Sequence, residues 1–235
     1  MEIRAEDIVV TIDGRRVLQA SSVHVEEGRT LALVGPSGSG KTTLLNVLGL
    51  LVRADSGRVI VGDQDTTRWK DARRRRFWQK HAAFVFQDHG LIDEKSVEYN
   101  VMLARLPLFG VHKRNRSDIE VILDRVGLPG RGKEMVSTLS GGEKQRVGLA
   151  RAMFRKADVI FADEPTASLD RANRDLVTGF LKAEAHRGAA VVIATHDEAL
   201  MSACDVTLDL TAPGQHTAPA QPSMMAFKKE NAPAH

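Results

Sequence analysis

Apolar positions in this chain recur at two periods, and the switches between them divide it into elements. Ile3 to Ile12 and Val17 to Val25 read as two strands, joined by a turn at Asp13-Gly14, the dipeptide a tight hairpin favours. Thr30-Leu-Ala-Leu-Val34 is a short apolar run of the kind a buried parallel strand needs. Thr43-Leu-Leu-Asn-Val-Leu48 then continues apolar at helical spacing. Gly57 to Val61 predicts a further strand and Trp69 to Lys80 a very basic helix. A helix through Leu103 and another from Ser117 to Val126 follow. Apolar residues return at Val147, Leu149, Ala150 and Met153, on a helix opened by glycines. The strands Val159-Ile-Phe-Ala-Asp163 and Ala190-Val-Val-Ile-Ala194 flank a helix from Asp170 to Glu184, and Val206 to Leu210 reads as a last strand. From Thr211 onward the Ala-, Pro- and Gln-rich sequence has few large apolar residues, so 211–235 reads as a mobile low-complexity tail and 1–210 as one domain.

Composition narrows this picture without deciding it. A chain of 235 residues with 43% hydrophobic and 27% charged content buries a sizeable core and is not a disordered segment. The net charge of +3 is too small to argue for nucleic acid, although a pI near 9.1 leaves contact with anionic lipid open. Arg73, Arg74, Arg75 and Arg76 concentrate the positive charge on one predicted helix, where contact with lipid headgroups or RNA is one role and a solvated face the expected one. A single cysteine, Cys204, forms no intramolecular disulfide, and a reducing compartment suits it. Met1-Glu-Ile-Arg-Ala-Glu6 lacks a basic and apolar leader, so no secretion signal is expected. Apolar runs fall short of the roughly 20 residues of a spanning helix. A membrane role therefore needs a second chain to cross the bilayer.

The chemistry is concentrated at Gly35-Pro-Ser-Gly-Ser-Gly-Lys-Thr42, which fits G-x-x-x-x-G-K-[S/T] and lies between the strand ending at Val34 and the helix continuing from Thr43. Glycines let backbone N–H groups wrap a phosphate chain, and the helix presents its positive end to the same anion. Lys41 supplies a point charge to the outer phosphates, and Thr42 a hydroxyl for Mg2+. Three further stretches carry chemistry. Leu139-Ser-Gly-Gly-Glu143 is a second glycine-opened helix start, with the Ser140 hydroxyl beside free N–H groups, and on its own an ordinary N-cap. At Asp163-Glu164 a strand ends in two carboxylates, one able to hold a metal shell and the other to take a proton from water. His196 ends another strand, placed to bond a γ-phosphate; alone it reads as a surface histidine.

In this order and with these intervals the four stretches resemble the ATP-binding cassette ATPases. The resemblance extends to Gln87 in Phe84-Val-Phe-Gln87 and to Ser168-Leu-Asp170, and spans roughly residues 3 to 210. It implies an α/β P-loop NTPase fold, with a mixed parallel core sheet, a flanking antiparallel sheet and a helical subdomain at about 88–155. It also implies ATP and Mg2+ as cofactors, with hydrolysis by Glu164, His196, Gln87 and Lys41. Gly35, Pro36, Ser37, Gly38, Ser39, Gly40, Lys41, Thr42 and Thr43 would hold the nucleotide, and Thr42, Gln87 and Asp163 the metal. A homodimer follows, with the nucleotide closed in trans by Ser140, Gly141, Gly142 and Asp170 of the second copy. Where the family carries an adenine-stacking aromatic before the first turn this chain has Ile12, which covers a base face without π stacking, so weaker base discrimination is expected. Phe86, Leu91, Ile92, Leu108 and Phe109 are candidates either for the subdomain groove that receives a permease helix or for the core.

Within the family the chain resembles the stand-alone ATPases of the lipoprotein-releasing and macrolide-exporting group. Leu44-Leu-Asn-Val-Leu-Gly-Leu-Leu51 and Phe84 to Ile92 resemble bacteriocin exporters of the lactococcin type. This implies an ATPase at the cytoplasmic membrane face, peripheral through separate permease subunits and without a nucleic-acid partner. A non-transporting signalling ATPase of the cell-division type fits the same motifs. A DNA-repair ATPase would insert a long coiled coil before Asp163, and a translation-associated member would carry two cassettes; this chain does neither.

Overall fold

In the computed structural model, residues 1–103, 114–167 and 169–211 are described. The predicted tail beyond Thr211, the groove candidates Leu108 and Phe109, and Ser168 lie outside them.

Two sheets form the frame. Strands β1 (Ile3–Ile12) and β2 (Arg15–Val25) make the expected hairpin, with Asp13 at φ 50° and Gly14 at φ 76°, the double left-handed turn that matches strand twist. With β4 (Ser56–Val61) and the two-residue β5 (Gln64–Asp65) they form an antiparallel sheet in the order β2-β1-β4-β5. The second sheet is parallel and contains β3 (Thr30–Val34), β6 (Ala82–Val85), β7 (Val159–Asp163), β8 (Ala190–Ala194) and β9 (Val206–Asp209), in the order β6-β7-β8-β3-β9. Its strands are apolar on both faces because both faces are covered. On β7, Val159 and Phe161 point into a cluster with β3, α1 (Lys41–Leu48) and the antiparallel sheet. Ile160 and Ala162 point into a second cluster, with the helices.

That second cluster joins α3 (Val97–Met102), α4 (Arg114–Arg125), α5 (Gly141–Arg155) and α6 (Arg171–His186). Helix α4 begins three residues before the predicted start. Helix α2 (Asp71–Lys80) begins two residues after its prediction, because Lys70 is extended and Trp69 is held in a turn by its N–H to the Thr66 carbonyl. The solvated face expected for its arginines needs one correction. Arg73, Arg75 and Arg76 are exposed, but Arg74 is buried, one turn before buried Phe77, and its guanidinium donates to the Leu50 carbonyl. Leu91 packs against the helical core and Ile92 is exposed, so of the described groove candidates only Phe86 lines a groove. Its neighbours there include Trp78, Phe84, Leu103 and Arg151, around a volume of about 310 Å3.

Candidate functional site

The C-terminal ends of parallel strands converge on one cavity, as expected for an open α/β sheet. The loop from β3 to α1 adopts left-handed backbone at Gly35 (φ 140°), Gly38 (φ 80°) and Gly40 (φ 94°). The positive φ favours glycine at both Gly35 and Gly40, and at Gly40 a Cβ would also crowd the Val17 carbonyl at 3.1 Å. The loop closes around a cavity of about 600 Å3. Gly35, Pro36, Ser37, Gly38, Gly40, Lys41, Thr42, Thr43, Gln87, Glu164 and His196 line it, together with Val17 from β2, which sequence reasoning did not single out.

Several groups here have the chemistry to meet an anion and a metal ion. Lys41 is 8% exposed, and its ammonium donates to the carbonyls of Gly35 at 2.8 Å and Pro36 at 3.1 Å, folded onto the loop it would leave for an anion. Ser39 Oγ is buried against Gly35 with no hydrogen-bond partner among the described residues, and Ser39 is not part of the cavity lining. Thr42 Oγ1 donates to Asp163 Oδ1 at 3.0 Å. Burial pushes the Asp163 carboxyl above its usual range, against the Thr42 hydrogen bond and the Lys41 charge that pull it down.

Glu164 follows at the strand exit in a conformation few non-glycine residues take, φ 44°, its N–H held by the Ala194 carbonyl at 2.8 Å. Its Oε2 lies 2.9 Å from His196 Nδ1 and also accepts the His196 backbone N–H at 3.4 Å. Base candidate and histidine are thus joined directly. Behind them Gln145, only 3% exposed, donates through Nε2 to the Pro165 carbonyl at 2.9 Å and places Oε1 2.7 Å from His89 Nδ1. Gln145 thereby ties the loop after Gln87 to the residue following Glu164. The signal for it was a polar residue at a helix position one turn from buried Leu149.

Ile12, 48% exposed, lies outside the cavity lining, as do Ser39, Asp163, Ser140, Gly141, Gly142 and Asp170, although Asp163 reaches its edge through Thr42. Ser140 caps α5 through a capping box with Glu143, so the ordinary N-cap reading is realised. The Ser140 backbone N–H, then the Arg131 guanidinium and the Ser140 hydroxyl, hold the Glu143 carboxyl down at about 2. Asp170 caps α6, accepts from Asn173, and through Asn173 Oδ1 is linked to Arg146 of α5 at 2.5 Å. The start of α6 is thereby tied to α5, the helix that Ser140 caps. Gly141 and Gly142 have ordinary negative φ, and a Cβ on Gly141 would meet nothing within 4 Å and one on Gly142 only the Asn173 side chain at 3.7 Å. Neither needs to be glycine for this chain's own sake.

Comparison with known proteins agrees with this geometry. The chain matches the ABC transporter family over residues 18–167. It is 38% identical over 210 residues to the lipoprotein-releasing system ATP-binding protein LolD of Bacteroides fragilis, covering 88% of this chain and 97% of that protein. It is also 38% identical over 199 residues to LolD 1 of Caulobacter vibrioides, covering 83% and 85%. Among solved structures, the dimeric post-hydrolysis state of the ATP-binding cassette MJ0796 with ADP and Pi superposes with a TM-score of 0.80 at 26% identity, covering 88% of this chain and 93% of that one. These relatives lie on the lipoprotein-release side of the sequence resemblance and give no support to bacteriocin export.

Proposed function

The chain belongs to the ABC transporter family as an ATPase, and from that premise we propose that two copies close around Mg-ATP to drive a membrane permease that releases lipoproteins. The observation that carries this reading is the convergence of Lys41, Thr42, Gln87, Glu164 and His196 on one cavity. In it the outer phosphates would lie in the Gly35–Thr43 loop, and Lys41 would turn from its loop carbonyls to the phosphates. Thr42 and Asp163, hard oxygen donors 3.0 Å apart, fit Mg2+, and Gln87 lines the same cavity as Thr42. Bound there, Mg2+ would neutralise phosphate charge. Glu164 takes the proton of the attacking water, and His196 orients that carboxylate while its ring remains within reach of the γ-phosphate.

Ser140, Gly141, Gly142 and Asp170 act on the nucleotide of the second copy. Two glycines without a use in their own chain, at an exposed helix start, suit a surface that another molecule must approach closely. Ile12, with Val17, covers the base. The permease docks in the groove containing Phe86, Trp78 and Leu103, which places this ATPase at the cytoplasmic membrane face. That location suits a protein in whose described residues no helix is long and apolar enough to cross a bilayer.

Depleting the chain in its host and fractionating the envelope tests the cargo. Lipoproteins retained in the inner membrane are the expected outcome. Normal lipoprotein sorting with failed division would overturn it in favour of the signalling reading.

A further inference from the structure

Helix α2 has two faces with different surroundings. Arg75, Trp78 and Gln79 line the groove proposed for the permease, whereas Arg68, Lys70, Arg73 and Arg76 surround a separate cleft of about 660 Å3 walled by Trp69 and Phe77. The cleft is built rather than incidental. Trp69 and Phe77 meet edge to face with centroids 6.4 Å apart, and the Arg73 guanidinium lies 4.4 Å from the Trp69 ring while donating to Gln64 Oε1 at 2.7 Å.

Its four cations are exposed, and Lys70 and Arg76 enter no ion pair among the described residues. The acidic groups nearby are engaged elsewhere: Asp71 pairs with Arg53 at 3.1 Å, and Asp158 with His81 at 2.6 Å. Asp65, bonded to the Thr67 N–H at 2.8 Å, offsets part of the Arg68 charge only. Like charges three residues apart, such as Arg73 and Arg76, disfavour the helix that carries them, and no ion pair among the described residues offsets either charge. An anionic partner would.

We propose that this cleft binds the phosphate of anionic phospholipid headgroups at the membrane surface. This rests on the reading of the adjacent groove as the permease dock, since a permease seated there turns α2 toward the bilayer. Arg73, pre-positioned by its ring stack, and Arg76 present guanidinium forks that match phosphate geometry. The contact would align the ATPase beneath the membrane independently of nucleotide.

The test uses the full chain without permease, floated with vesicles of phosphatidylcholine alone or containing phosphatidylglycerol, at low and high salt. The expected result is binding to the anionic vesicles only, weakened by salt. A cation near an anionic surface contributes roughly fivefold to partitioning, so Arg73→Glu with Arg76→Glu should weaken binding by at least ~25-fold. Lys133→Glu with Lys182→Glu, the same charge change on distant exposed positions, should lose far less, and ATP turnover should be unchanged in both. No anionic-vesicle binding, or equal loss in both variants, would overturn the proposal. Stabilisation by inorganic phosphate that the Arg73/Arg76 variant loses, without vesicle binding, would reassign the cleft to a soluble phosphate compound and likewise overturn it. Because the vesicles hold no permease, failure here leaves the ATPase reading standing, and failure of permease coupling leaves vesicle binding standing.

Discussion

Glu164 occupies a left-handed conformation that costs about 1–3 kcal/mol, held by the Ala194 carbonyl and by His196. Strain of this kind clusters at functional sites, and here it lies at a carboxylate that lines the cavity. Glu164→Gln preserves the shape and removes the proposed base, so turnover should fall by ~10²- to 10⁴-fold while nucleotide affinity, measured by titration, is retained. Gln145 acts one layer back. Gln145→Leu leaves the Pro165 carbonyl and His89 without their partner, and about 1–3 kcal/mol of stability should be lost in denaturant unfolding. Its kcat should fall while ATP affinity holds, and an unchanged kcat would confine Gln145 to a packing role. The placement of the phosphate loop, Asp163, Glu164 and His196 at the ends of parallel strands was legible because each follows an apolar run in the sequence. Val17 and Gln145 were not, because the first reaches the cavity across the hairpin and the second acts only through tertiary hydrogen bonds.

Among the elements, α5 carries both the proposed trans surface and its own cap. Ser140→Ala should cost about 1 kcal/mol from the lost N-cap, read as a lower denaturation midpoint. The Glu143 carboxyl, lowered to about 2 in the folded protein, contributes stability that is fully present above its unfolded value near 4.5. That contribution is lost as pH falls from there toward 2. Glu143→Gln should therefore flatten this part of the pH dependence of unfolding. The boundaries of α2 were less legible than its existence, because charge alone does not mark where a helix starts. Arg74 was read with its exposed neighbours, although its spacing of three from Phe77 places it on the apolar face.

For the whole molecule, the two-sheet architecture follows from apolar strands buried on both faces and a hairpin marked by Asp13-Gly14. Phe161 is fully buried, 5.2 Å from the Phe84 ring, where the parallel sheet meets α1. Phe161→Ala should remove about 3–5 kcal/mol. What one chain's pattern does not display is its second copy. The dimer is argued from surfaces that are complete as caps yet carry glycines their own chain does not require. Light scattering coupled to size-exclusion chromatography of the Glu164→Gln protein, with and without Mg-ATP, tests this directly. The account predicts a nucleotide-dependent shift from monomer to dimer that Ser140→Arg abolishes. A Glu164→Gln protein that saturates with ATP and remains a monomer, or a dimer indifferent to Ser140→Arg, would contradict it.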